Sequence, residues 1–171
     1  GRKVLVTEDI RNGNGRTVKS RYSTPNRVDK ISEPIQSIFW IMKDDALPPL
    51  VKITDPRLAS ILGCTLMTKR SNAENTGAGA NLDALVIEPY ANPFRVYPLV
   101  EDYDKFKALF DKGVDCYIIN TGDFLGKKVT KEVSLGVIET VVDGKANFDL
   151  FGGLPGMEYF PVEGYEVPEM N

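Results

Sequence analysis

The chain has 171 residues, 42% of them apolar and 26% charged, with a formal net charge of −3. It is long enough for one well-buried core, and its charge argues against a nucleic-acid partner, which calls for a basic face. It contains no histidine, which excludes Ser/His/Asp and Cys/His catalysis and histidine metal sites, and leaves lysine, arginine, carboxylates, hydroxyls and backbone amides to do any chemistry.

From its start the chain reads as a strand already under way, Arg2 to Asp9. A turn at Asn12-Gly13-Asn14-Gly15 and a returning strand from Arg16 to Ser23 follow. With no leading cap, Met or tail, the chain is expected to be cut from a longer polypeptide. Ser37 to Met42 is a continuous apolar run, the pattern of a central strand. Lys43-Asp44-Asp45 ends it, and Pro48 and Pro49 stiffen the exit. Asp44 and Asp45 read as a solvated strand end, and no metal is assigned to them. Asp55-Pro56 has the form of an N-cap with proline at the first helical position, predicting a helix over 56–63. The stretch from Ser71 to Asp83, rich in Asn, Gly and Ala, reads as a loop.

Leu85-Val86-Ile87 predicts a short strand, and residues 88–94 a stiff polar crossing. Over 101–112, Tyr103, Phe106, Leu109 and Phe110 share one helical face and Gly113 ends the helix. Val114 to Ile119 is a buried strand leading into Asn120-Thr121-Gly122 and a loop carrying Gly126-Lys127-Lys128. A helix opens near Thr130 with Glu132 in its first turn, buries Val133, Val137, Ile138, Val141 and Val142, and stops at Gly144. Strand, glycine-punctuated basic loop and helix N-terminus is an arrangement with which α/β proteins hold nucleotides. The plainer reading of Lys127 and Lys128 is a pair of solvated loop charges. Phe148 to Asn171 shows little periodicity and is expected to be an irregular tail packed on a domain of residues 1–147. Cys64 and Cys116 have no disulfide-framework or zinc spacing; Cys116 reads as a buried small hydrophobe, and a reducing cytoplasmic setting is expected. No apolar run approaches a membrane span. The fold class expected is α/β, a mixed sheet with flanking helices, in which strands outnumber helices.

Several motifs resemble, in order, the C-terminal half of ATP-dependent phosphoenolpyruvate carboxykinase. Arg21-Tyr22-Ser23-Thr24-Pro25 is similar to the family's Arg-x-Ser-x-Pro. Leu47-Pro48-Pro49-Leu50-Val51-Lys52-Ile53-Thr54 is close to Leu-Pro-Pro-Val-x-Arg/Lys-Leu-Thr. Thr68-Lys69-Arg70 resembles the Thr-Glu-Arg that begins the active-site lid. Glu88-Pro89 and Pro93-Phe94 resemble Thr-Glu-Pro and Pro-Thr-Phe. Ile119-Asn120-Thr121-Gly122 and Gly126-Lys127-Lys128-Val129 resemble Val-Asn-Thr-Gly and Gly-Lys-Arg-Ile.

The resemblance spans about residues 3–145 and implies a carboxykinase-like nucleotide-binding domain. It implies that Arg21 faces the transferred phosphoryl group, where a guanidinium stabilises developing charge. It implies that Asn120, Thr121, Gly122, Lys127, Lys128, Val129 and Ser134 hold ATP or another purine nucleotide, and that Thr68, Lys69 and Arg70 belong to a lid. The implied partners are a nucleotide, a small carboxylate substrate and the rest of the parent polypeptide. This sequence departs from the family at Lys128, where an arginine is usual, and at Asp123, where tryptophan follows Asn-Thr-Gly; the lid interior also differs. These departures imply a divergent branch. No Gly-x-x-x-x-Gly-Lys-Ser/Thr phosphate loop is present. In the family that loop and the metal ligands lie upstream of the matched stretch, so the divalent metal is expected to bind there and this chain to be inactive alone. The alternatives are a kinase with a different substrate, or a non-catalytic nucleotide-binding or interaction module on the same scaffold.

Overall fold

The computed structural model describes residues 30–69, 81, 84–92 and 95–169. The chain divides into two compact units, one of residues 1–34 and 70–84, the other of residues 35–69 and 85–171. Most described residues belong to the second unit. Arg21, Arg70, the hairpin expected before residue 24 and most of the loop expected over 71–83 lie outside the described residues.

The second unit is mixed α/β. A five-stranded sheet has the order β1 (Ser37–Met42), β5 (Asp115–Asn120), β2 (Leu50–Ile53), β9 (Met157–Tyr159), β8 (Asp149–Leu150). β1 and β5 run parallel, with Met42 opposite Asn120; the other neighbours are antiparallel. Two short antiparallel strand pairs lie outside this sheet, β3 (Met67–Lys69) with β4 (Leu85–Ile87), and β6 (Asp123–Phe124) with β7 (Lys127–Lys128). Three α-helices complete the unit: α1 (Pro56–Cys64), α2 (Leu99–Asp111) and α3 (Lys131–Val142).

Side-chain alternation along the strands divides the core. Trp40, Met42, Val51, Ile53, Cys116 and Ile118 pack with Ala59 of α1 and Phe110 of α2. Leu50, Tyr117 and Ile119 pack with Val137 of α3. The sheet is therefore covered on both faces, which is why Cys116 to Asn120 are all buried and β5 reads as an unbroken apolar run. Asp55 caps α1 by accepting from the Leu58 amide at 2.7 Å, with Pro56 in its first turn. Thr130 caps α3, and Gly144 at φ 67° receives the chain just past its end. Tyr90, itself at φ 55°, stacks on Phe106 with ring centroids 4.3 Å apart and donates to the Ser60 carbonyl at 3.1 Å, tying the 89–91 turn to α1 and α2.

Three sequence expectations change, and one strand stands where no element was expected. β1 stands at the end of the described sheet rather than at its centre. Val142 is 74% exposed, because α3 turns its last residue to solvent once Val141 has reached the core. The stretch after the prolines is itself a strand, β2, too short and too interrupted by Lys52 to show a period. Residues 148–171, expected to be irregular, supply β8 and β9, and β9 pairs with β2 inside the main sheet. Backbone pairing recruits such short segments without asking for a hydrophobic pattern.

Candidate functional site

Parallel β1 and β5 end at the same level, and the predicted site residues gather just beyond them. The organising element is the turn Lys43–Asp45 that leaves β1. From one side β3 reaches it: the Lys43 amide donates to Thr68 Oγ1 at 3.2 Å, and the Lys69 amide donates to the Lys43 carbonyl at 3.3 Å. The Lys69 ammonium pairs with Asp45 Oδ2 at 3.2 Å. From the other side come the residues after β5. Thr121 donates to the Met42 carbonyl through its amide at 2.8 Å and its hydroxyl at 3.2 Å.

Asn120 is fully buried and spends its side chain on this turn. Its Nδ2 donates to the carbonyls of Asp44 (2.7 Å), Leu47 (2.6 Å) and Asp123 (2.8 Å). Its Oδ1 accepts from the amides of Asp44 (3.3 Å) and Gly122 (2.9 Å). An asparagine amide has two N–H donors and two acceptor lone pairs, so the three carbonyls share its two N–H groups and nothing is left over for a ligand. Asn120 holds the scaffold. Gly122 fits because a Cβ there would lie 2.9 Å from Lys43 Cβ and 3.1 Å from Lys43 Cα.

The loop expected over 123–128 is a tight hairpin. Leu125 at φ 50° and Gly126 at φ 77° both take left-handed values, the signature of a type I′ turn. The Leu125 amide donates to the Asp45 carbonyl at 3.0 Å, so the hairpin also hangs on the organising turn. Lys127 and Lys128 differ in their surroundings. The Lys127 ammonium donates to the Gly164 carbonyl at 2.6 Å and lies 4.6 Å above the Tyr165 ring. The Lys128 ammonium, exposed, donates to the Thr121 carbonyl at 3.1 Å. Val129 is 2% exposed among Phe124 and Tyr165, so its side chain offers no face to a base. Ser134 sits in the first turn of α3 and donates to the Thr130 carbonyl at 3.1 Å, which leaves its oxygen lone pairs as acceptors.

Thr68, Lys69, Asn120, Thr121, Gly122, Lys127 and Lys128 are thus brought to one end of the sheet. Two charged residues that the predicted site did not include lie elsewhere, at the opposite end of β5. Lys52 projects from β2 on the α3 face and pairs with Asp115 at 3.1 Å, with its ammonium 5.6 Å from the Tyr117 ring and 5.8 Å from the Phe148 ring. Burial works to lower its pKa, but the hydrogen bond to Asp115 and the charges of Tyr117 and Asp115 outweigh it and hold the ammonium above its ordinary value. Two signals in the sequence pointed to Lys52: its place at the Arg/Lys position of the Leu-Pro-Pro motif, and a lysine inside the apolar run Leu50 to Ile53.

Among the described residues no group of three or more His, Cys, Asp or Glu side chains is placed to hold a metal ion, and no helix is long and apolar enough to cross a membrane. Compared with known proteins, the chain matches no family model and no curated protein.

Proposed function

We propose that this chain carries the nucleoside-binding and lid part of a phosphoenolpyruvate carboxykinase-like enzyme, which uses ATP or another purine nucleotide on a small carboxylate. The observation that supports the reading is a convergence. Thr68-Lys69 and Asn120, far apart in sequence, both bond to Lys43–Asp45 beyond the ends of the parallel pair, and Thr121 bonds to Met42 just before that turn. Ligands of open α/β sheets bind at the carboxyl ends of their strands.

Within this proposal the residues divide their work. Lys128 supplies an exposed ammonium and Ser134 a hydroxyl acceptor that fit the edge of a base, while Asn120, Gly122 and Val129 shape the backbone around it. The phosphates and divalent metal fall to the rest of the parent polypeptide, since no phosphate loop occurs among the 171 residues. A cytoplasmic setting and the absence of nucleic-acid and membrane partners belong to the same proposal.

A second reading, a non-catalytic nucleotide-binding or interaction module, has one observation in its favour: Asn120 and Val129 have structural duties that would preserve their motifs without any ligand. A phosphate loop in the parent reading frame, followed by acidic and histidine metal ligands, would decide for catalysis.

For the chain itself, ATP titration by calorimetry and by amide NMR is the direct test. Weak binding is expected, with shifts confined to residues 120–134 and lost in Lys128→Ala. Sub-micromolar affinity indifferent to that substitution, or no response at millimolar ATP, would overturn the assignment.

A further inference from the structure

We infer that Tyr165 is a positioning residue for the nucleotide, acting through the carbonyl of Lys128; the inference rests on the nucleotide reading proposed for this chain. The β6–β7 hairpin has only two residues in each strand, too few to fix its own geometry. The Val129 amide donates to the Gly122 carbonyl at 2.9 Å and closes its base. In an antiparallel ladder, the neighbouring pair, Asp123 with Lys128, then turns its backbone groups away from the partner strand. The outward carbonyl of Lys128 is met by the Tyr165 hydroxyl, which donates to it at 2.5 Å.

Tyr165 is itself held. It is 6% exposed, packed with Phe124 and Val129. Gly164, at φ 78°, accepts from the Lys127 ammonium and donates its amide to Glu166 Oε1 at 2.9 Å. The segment 164–166 therefore grips both lysines in different ways, Lys127 by its ammonium and Lys128 by its backbone. The Lys127 charge is spent on the strap. The exposed Lys128 ammonium donates to the Thr121 carbonyl rather than to the strap, and the strap fixes the main chain from which it reaches.

The test uses the whole 171-residue chain. Tyr165→Phe keeps the ring for Phe124, Val129 and Lys127 and removes only the hydroxyl. Its ATP affinity, titrated well below the melting temperature, is expected to fall about three- to tenfold, the worth of one hydrogen bond. The amide shift changes between wild type and variant should centre on Lys128 and Val129, with an unchanged far-ultraviolet circular dichroism spectrum. Glu166→Ala, at an exposed position, loosens Gly164 from the other side and should weaken ATP in the same direction. A purely structural tyrosine would lower the melting temperature and leave the affinity at lower temperature alone. Unchanged affinity in both variants, with wild type binding ATP, overturns this inference and leaves the nucleotide reading standing. A wild-type chain silent at millimolar ATP overturns both.

Discussion

Asn120 and Asp44 grip each other twice: the Asn120 amide nitrogen donates to the Asp44 carbonyl at 2.7 Å, and its oxygen accepts from the Asp44 amide at 3.3 Å. A single side chain thereby completes the backbone bonding of a turn 76 residues away in sequence. Asn120→Ala would remove the Asn120 partner of the part-buried Asp44 amide and Leu47 carbonyl and of the buried Gly122 amide at once, and each group left unpaired costs up to about 1–3 kcal/mol. A loss of about 3 kcal/mol in urea unfolding is expected, allowing for partial rescue by water. A loss below about 1 kcal/mol would mean that the turn is held without Asn120.

Two glycines give a matched contrast. At Gly122 a methyl group would press on the Cα and Cβ of Lys43, and backbone cannot swing aside as a side-chain tip can. Gly122→Ala should destabilise by about 1–3 kcal/mol. Gly136, inside α3, has nothing within 4 Å of its would-be Cβ. Gly136→Ala should stabilise by about 0.5–1 kcal/mol through backbone entropy. Thermal melts of the two variants should move in opposite directions; a shared direction would refute the packing argument.

The parts of this fold that could be read from sequence are those with a local cause. The Asp55-Pro56 start of α1, the Thr130 start and Gly144 end of α3, and the apolar run of β5 each carry their signal within a few residues. The parts that could not be read depend on distant partners. β9 is a strand because β2 offers it an edge, and Val142 is exposed because α3 meets the sheet at one angle and not another. The same division runs through the site. Asn120-Thr121-Gly122 and Lys127-Lys128 stand out as polar punctuation after an apolar strand. Which of them is buried scaffold depends on Asp44, Leu47, Gly164 and Tyr165, and no local pattern announces those contacts.

Leu125 occupies the first left-handed position of the β6–β7 turn, where a residue with a Cβ is strained by about 1 kcal/mol or more. Asparagine tolerates that conformation, and Asn-Gly is the preferred pair for a type I′ turn. Leu125→Asn should therefore raise stability by about 0.5–1 kcal/mol, because Leu125 is 59% exposed and gives up little burial. A fall in the melting temperature would show that the leucine side chain matters more to the cavity it lines with Phe124 and Phe151 than its backbone strain costs.

The Lys52–Asp115 pair predicts an alkaline limit to stability. Lys52 has a folded-state pKa raised above 10.5, so the folded protein holds this proton more tightly than the unfolded chain does. The stabilisation it brings is complete below pH 10.5 and is lost as pH rises through the folded value. Tyr117, whose burial pushes its own pKa above 10.0, acts in the same sense, since burial favours its neutral form. Lys52→Met keeps an unbranched stem between Tyr117 and Phe148 and removes the titration. Its unfolding free energy should fall less steeply with alkaline pH than that of wild type, and Tyr117→Phe should flatten the remaining slope. Parallel curves for wild type and Lys52→Met would mean that the ammonium gains nothing from Asp115 in the folded state.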